Sequence, residues 1–298
     1  MKVLIIVFSP TGNTLKVGTM LEKSLQDKMN DVQLIDITRS TLFKEKNIEN
    51  YIRAVQEHDV LCIGSPVYAH HLHYNVKKII TSLPRPGNGW GRRAVPFVTY
   101  GGINSGIALQ EAAQLLKRSG RIVVSGMKIN SFHCMTKLKK ISMKINEGMP
   151  GDEALPFIED LAERLTGRAE TPASNDKDIS LELRYQRWQV KAKAHLIFRE
   201  KFWQRHLYPQ LLFDYSRCTR CGKCASVCPV QRIAINEHGP EIPEGNPDCI
   251  HCTSCIASCP ADAIDFDADW EKWERLLSKA AAGHGPIPSN ESPKSAVY

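Results

Sequence analysis

Apolar residues come first as a short unbroken run, VLIIVF at residues 3–8, and then at helical spacing from about Asn13 to Met29. A continuous apolar run bounded by turn residues reads as a strand buried on both faces, and the helical spacing behind it as a crossover. The alternation recurs. Runs at 32–37 (VQLIDI), 59–64 (DVLCIG), 94–100 (AVPFVTY) and 121–127 (RIVVSGM) predict four more strands. Helical stretches near 47–58, 72–83 and 103–119 separate them, and a last helix falls at about 151–166. Strands alternating with helices predict an α/β lobe over residues 1–167, with a doubly wound, five-stranded parallel sheet. Ligands of such sheets sit beyond the carboxyl ends of the strands, which selects segments 9–14, 65–71 and 99–106.

The pattern changes after this lobe. Residues 168–180 (RAETPASNDKDIS) are polar and mark a boundary,. From Leu181 to about His206 helical character returns, with Tyr185, Trp188, Ala192, Leu196 and Trp203 near one face. Residues 168–210 therefore read as a linker and basic connecting helix whose apolar stripe packs on the lobes; a membrane-surface helix is the less favoured alternative. Residues 211–268 form a cysteine lobe, and 269–298 a C-terminal helix followed by a tail, rich in Gly, Pro and Ser from about Ala280, expected to be disordered,.

Charge sharpens this division. The formal net charge of +7 is distributed as +6 over residues 1–180, +5 over 181–210, −5 over 211–270 and +1 over 271–298. A basic body faces an acidic cysteine lobe. No nucleic-acid recognition motif accompanies the basic charge, so nucleic acid is not expected as a partner. The N-terminal apolar run is too short for a signal sequence or a membrane span and nothing longer follows, so the expected location is the cytoplasm,.

Eight of the ten cysteines lie in two copies of one pattern, Cys218-x2-Cys221-x2-Cys224-x3-Cys228-Pro229 and Cys249-x2-Cys252-x2-Cys255-x3-Cys259-Pro260. Soft thiolates at this spacing wrap a compact cluster, and eight of them supply two [4Fe–4S] clusters where a zinc site needs only four. The lobe resembles bacterial-type two-cluster ferredoxin domains. That resemblance implies one-electron transfer and crosswise ligation, with Cys218, Cys221, Cys224 and Cys259 on one cluster and Cys249, Cys252, Cys255 and Cys228 on the other.

In the first lobe, Ser9-Pro10-Thr11-Gly12-Asn13-Thr14 lies between strand and helix, where backbone N–H groups and hydroxyls hold a phosphate without needing a cation,. Neither a nucleoside-triphosphate loop nor a dinucleotide fingerprint is present,. The loop resembles the phosphate loop of flavodoxins. The resemblance implies FMN, with Ser9, Pro10, Thr11, Gly12, Asn13 and Thr14 at its phosphate. It also implies Pro66, Val67, Tyr68 and Ala69 on the first ring loop, with Tyr68 stacking, and Thr99, Tyr100, Gly101 and Gly102 on the second. Ala69 stands where many flavodoxins have Gly. His70, His71 and His73 read as surface histidines, Cys62 as a buried thiol, and Cys134 as a thiol on a loop leaving the flavin end of the sheet.

Joined on one chain, the lobes resemble the flavodoxin–ferredoxin fusion proteins described as EFR-type ferredoxins, found mainly in anaerobes. This implies a relay in which clusters exchange electrons with a redox partner protein and with FMN. The alternatives are a cluster-fed FMN reductase of a quinone or nitro compound, and a redox-sensing interaction protein whose basic helix binds a partner according to cluster state.

Overall fold

Residues 1–39, 55, 57–168, 172–196, 198, 209–245, 249–283 and 294–298 are described in the computed structural model of the chain. Alternation within β1 (Lys2–Val7) sends Val3, Ile5 and Val7 to one face and Leu4 and Ile6 to the other, and all five are buried. A strand covered by helices on both faces requires this. β1 pairs in parallel with β2 (Asp31–Asp36) on one side and with β3 (His58–Tyr68) on the other. β3 folds back into the two-residue β4 (His71–Leu72) and pairs in parallel with β5 (Trp90–Tyr100). The fifth strand is made of two pieces, β6 (Ile122–Val123) and β7 (Met127–Asn130), both parallel to β5. The order β2-β1-β3-β5-β7 is that of a doubly wound, flavodoxin-like sheet,.

Among the described residues four helices cover it. α1 (Asn13–Asp27) and α4 (Leu155–Thr166) bury Val17, Leu21, Leu25, Ile158 and Leu161 against the face of Val3 and Ile5. α2 (Tyr74–Ser82) and α3 (Ala108–Arg118) bury Val76, Ile80, Leu109 and Ala112 against the face of Leu4 and Ile6. Each fully buried aliphatic side chain contributes roughly 1.5–3 kcal/mol. The helix expected near 47–58 falls largely outside the described residues.

Three expectations change. The fifth strand does not end at 127: the chain leaves the ladder at Ser125 and Gly126, where the Gly126 N–H donates to Tyr298 O and the Tyr298 N–H to Gly126 O at 2.8 Å, and then rejoins it up to Asn130. The last residues therefore do not belong to a disordered tail; Ala296–Val297 add an antiparallel strand along Met127 and Lys128. Residues 168–180 are polar for a packing reason. Asp176 accepts from Arg93 at 2.6 Å and from Arg168 at 3.2 Å, with the Arg93 and Asp176 side chains almost fully buried, and Ile179 donates to Val123 O.

The connecting helix begins later than expected. α5 spans Trp188–Leu196 and buries Val190 and Ala194, while Trp188 and Leu196 of the expected stripe are exposed. Residues 181–183 form a turn and 184–187 are irregular, so the helical phase starts only at Trp188; Trp203 and His206 lie outside the described residues.

The cysteine lobe is built on two short antiparallel pairs. β8 (Leu211–Phe213) pairs with β11 (Ile264–Phe266), and β9 (Ala234–Asn236) with β10 (Gly239–Glu241). The one-turn helices α6 (Lys223–Val227) and α7 (Ser254–Ala257) begin inside the two cysteine runs. α8 (Trp270–Ala281) follows, capped by Asp269, whose carboxylate accepts the Lys272 N–H at 2.9 Å,.

The lobes share one core. Val230, Ile250 and Cys252 of the cysteine lobe belong to the same buried cluster as Leu4 and Leu72. Lys139 and Lys140 of the basic lobe pair with Asp262 and Asp265 of the acidic one, and Glu274 on α8 accepts the Met143 N–H at 2.8 Å. Among the described residues no helix is long and apolar enough to cross a membrane.

Candidate functional site

At the carboxyl end of β1, Gly12 takes a left-handed conformation (φ 84°) that turns the chain into α1, a turn glycine makes at no steric cost. The hydroxyls of this loop divide into two groups. Ser9 Oγ accepts the Leu15 N–H at 2.8 Å, and Thr14 Oγ1 pairs with Thr99 Oγ1 at 2.7 Å in the interior. Thr11 and Asn13 instead line a cavity of about 610 Å3. Among the described residues the Asn13 and Thr14 amides have no partner, leaving the start of α1 with two open N–H donors,.

The first ring loop contributes Pro66, Val67, Tyr68 and Ala69 to the same cavity. Val67 and Tyr68 pair with Leu72 and His71, so Ala69 and His70 form a two-residue hairpin turn with φ of 44° and 68°. Such turns favour Asn-Gly; Ala and His there carry backbone strain, held by the bond from Ile107 N–H to His70 O at 2.7 Å,. His71 and His73 are not surface residues. His71 bridges Glu111 and the Ala194 carbonyl at 3.0 Å each, and His73 Nδ1 caps α2 by accepting the Asn75 N–H at 3.2 Å. Cys62 is fully buried.

The second ring loop contributes Thr99, Tyr100 and Gly101. A Cβ on Gly101 would lie 2.9 Å from His133 Cα, and one on Gly102 (φ 77°) would collide with Asn146. Neither position admits a larger residue without displacing the protein packed against it,. Gly101→Ala is therefore expected to displace His133 and cost about 1–3 kcal/mol in stability, measured by urea unfolding, with a parallel loss of flavin affinity.

Of the remaining walls, the sequence pointed only to Cys134 and its loop. Phe132, His133, Cys134 and Met135 come from the loop after β7, and Ile250, His251, Asp267, Lys272, Trp273 and Leu276 from the cysteine lobe. Burial pulls the His70 and His133 imidazoles down to about 4, so both are neutral at pH 7, and the buried His133 Nδ1 has no hydrogen-bond partner. Burial and then the neighbouring Cys252 push Cys134 up to about 11, which keeps it a neutral thiol. A cradle of glycine backbone, aromatic rings, open amides and an unpartnered buried imidazole fits a flavin phosphate.

The two cysteine runs are offset by 31 residues, and their backbones match at that offset. Left-handed residues occur in pairs, Arg220 with His251, Gly222 with Thr253, and Gln231 with Asp262. Sulfur acceptors match too. Cys218 and Cys249 accept the N–H groups of Arg220 and His251, each at 3.4 Å, and Cys228 and Cys259 those of Arg232 and Ala263, at 3.2 and 3.3 Å. Backbone turned so that amides point at thiolates fits iron–sulfur clusters, whose potentials such bonds tune.

Cys228, Cys249, Cys252 and Cys255 line one interior cavity, while of the first triplet Cys221 is exposed, Cys218 half-buried and Cys224 buried. Burial pushes the Cys249 thiol up to about 12, whereas the Lys223 amide lowers exposed Cys221. Among the described residues no three potential ligands converge on a single ion; a cluster does not ask for that, since each thiolate takes a different iron.

Comparison with known proteins follows this division. Residues 1–133 match the family of NADPH-dependent FMN reductases, and residues 210–260 match the 4Fe-4S dicluster domain. The iron-sulfur cluster-binding subunit of menaquinone reductase from Nitratidesulfovibrio vulgaris is 41% identical over 64 residues, 21% of this chain and 25% of that protein. A ferredoxin from Pyrobaculum islandicum is 36% identical over 59 residues, 19% of this chain and 52% of that protein. The chain thus spans between a quarter and about half of the length of these relatives. Among solved structures, a flavodoxin from the domain Archaea is 19% identical, covering 56% of this chain and 98% of its own, with a TM-score of 0.40. The apo form of an NADH:FMN oxidoreductase is 14% identical, covering 59% and 93%, with a TM-score of 0.42. The fold and site define a flavodoxin-like domain fused to a ferredoxin-type dicluster domain. The chain joins the two, a flavodoxin-like sheet carrying the FMN reductase match and a following segment carrying the 4Fe-4S dicluster match.

Proposed function

We propose that the chain is a redox relay in which two [4Fe–4S] clusters connect a partner protein to FMN bound between the lobes. One observation carries this reading: the cavity lined by Thr11, Tyr68 and Tyr100 is closed on its far side by Ile250 and His251, which stand between Cys249 and Cys252. Bound there, FMN supplies one- or two-electron chemistry and the clusters one-electron chemistry.

The residues of the chain do the rest. The Asn13 and Thr14 amides and Thr11 hold the phosphate, Tyr68 and Tyr100 the ring, and Gly101 and Gly102 let the backbone come close. α8 covers the opening with Trp273 and Leu276 and limits access of water. Cys249, Cys252, Cys255 and Cys228 hold the cluster next to the cavity. Cys218, Cys221, Cys224 and Cys259 hold the outer one, where exposed Cys221 offers the port for a partner. Arg217, Arg220 and Lys223 flank that port and make it basic within an acidic lobe, which suits an acidic partner surface,.

Protein purified without oxygen is expected to contain about one FMN and about eight iron atoms per chain. Assays of flavin, iron and sulfide check this, and four irons after full reconstitution would remove one cluster. A second reading, a cluster-fed FMN reductase of a small acceptor, is favoured by the FMN reductase match at residues 1–133. Steady turnover of a quinone or nitro compound with reduced ferredoxin selects it over a carrier.

A further inference from the structure

The loop after β7 carries four lysines, and three have evident structural partners. Lys139 and Lys140 pair with Asp262 and Asp265 across the lobe boundary. Lys144 donates to the carbonyls of Thr136, Leu138 and Ile141 at 2.8, 3.0 and 2.7 Å. Lys137 differs. Its Nζ lies 3.3 Å from the Thr11 carbonyl and 3.4 Å from Asn13 Oδ1, neutral acceptors at distances long for an ammonium,. Among the described residues no carboxylate lies within ion-pair reach of it. Burial pulls its pKa below that of an ordinary lysine, and a cation that loses water without gaining an anion is held at a cost.

Its surroundings say what anion would complete it. Lys137 reaches the start of α1, where the Asn13 and Thr14 amides are open and no acidic side chain occupies the first turn. The turn that carries it also carries His133, whose fully buried Nδ1 lacks a partner and lines the same cavity as Thr11 and Asn13. Phe132, under the ammonium at 5.3 Å from its ring centroid, fixes the direction of the chain without neutralising it,. Two open N–H donors, Thr11 on the cavity wall and an ammonium without a carboxylate partner thus stand together at the start of α1, a donor set that suits a phosphate monoester,.

We propose that Lys137 is the counter-cation of the flavin phosphate, so that the site selects FMN over riboflavin. This rests on the reading that the cavity holds a flavin, and corrects the expectation that the loop needs no cation. A neutral loop would distinguish the two flavins only by hydrogen bonds. With Lys137 the phosphate adds a charge-assisted contact in a half-buried place, a contact riboflavin cannot make.

The test is a titration of flavin-depleted protein, clusters in place, with FMN and with riboflavin, following flavin fluorescence and monitoring cluster absorbance as a check on folding. Lys137→Gln is expected to weaken FMN binding by about tenfold to a hundredfold while changing riboflavin binding less than about twofold. Lys137→Arg, which keeps the charge, is expected to restore most of the FMN affinity, and added salt to weaken FMN binding to the wild type more than to Lys137→Gln. Equal losses for both flavins would give Lys137 a structural role in the 132–137 turn and overturn the proposal, as would an unchanged FMN affinity. If the wild type bound neither flavin, the cavity reading itself would fall.

Discussion

Replacing Cys259 by Ala is expected to destroy the cluster held by Cys218, Cys221 and Cys224, not the one held by its own sequence neighbours. Cys228 lines the interior cavity of Cys249, Cys252 and Cys255, one run away from its own triplet. The two runs match in left-handed positions and in sulfur-accepting amides, so the same crossing is expected of Cys259. It packs on an apolar group in which Cys224 and Cys255 of the two runs meet with Ile233 and Ile264. Anaerobic spectra of Cys259→Ala should then coincide with those of Cys218→Ala and differ from those of Cys249→Ala, each variant retaining about four irons. Crossing also ties each half of the lobe to the other's metal, and ligation free energy is folding free energy. Both fourth-ligand variants should therefore melt well below the wild type. A Cys259→Ala protein whose spectrum followed Cys249→Ala would mean that each run closes on its own cluster.

How much of this was legible depended on how local the cause is. Cluster ligation and phosphate binding by a strand–loop–helix are decided within a dozen residues, so the cysteine runs and the 9–14 loop stand out in the sequence. The apolar runs announced the parallel strands for the same reason. Long-range placement left little trace. Nothing local marks Ile250 and His251, which packing sets against the cavity, or Lys137, which packing brings to the start of α1. The histidines misled because three polar residues near a loop suggest exposure, whereas His71 is buried by Glu111 and the Ala194 carbonyl. The connecting helix starts only at Trp188, which periodicity counted from Leu181 cannot register. The strand at Ala296–Val297 is two residues long and pairs with an edge some 170 positions away in sequence, roughly the separation at which no local signal survives,. The glycine expected at position 69 is replaced by Ala at positive φ, a local rule broken where the cavity is formed,.

Thr253→Gly, combined with Ser254→Ala, is expected to slow reduction of the flavin through the clusters without removing either cofactor. The symmetry-related position of Thr253 is Gly222, and both are left-handed, with φ of 65° and 75°. For a β-branched residue that conformation is an outlier costing about 1–2 kcal/mol. Thr253 is nonetheless buried, and its hydroxyl donates to the Cys134 carbonyl at 3.3 Å, while Ser254 Oγ donates to the Pro10 carbonyl at 2.7 Å. The outer run has no such seam to make, and there glycine suffices. These two hydroxyls fasten the inner cysteine run to the two loops that form the flavin cavity, so strain at Thr253 is offset by alignment of the lobes. Thr253→Gly alone should leave stability toward urea unchanged to within about 1 kcal/mol, the relief of strain balancing the lost hydrogen bond. Internal transfer in the double variant should fall by on the order of tenfold or more, since misplacing reacting centres by about an ångström is worth up to about a hundredfold. Flavin and iron contents serve as the control. Stopped-flow reduction at the outer cluster, followed at the flavin wavelength, reads the rate; a double variant as fast as the wild type would show that the seam only joins the lobes and does not align them.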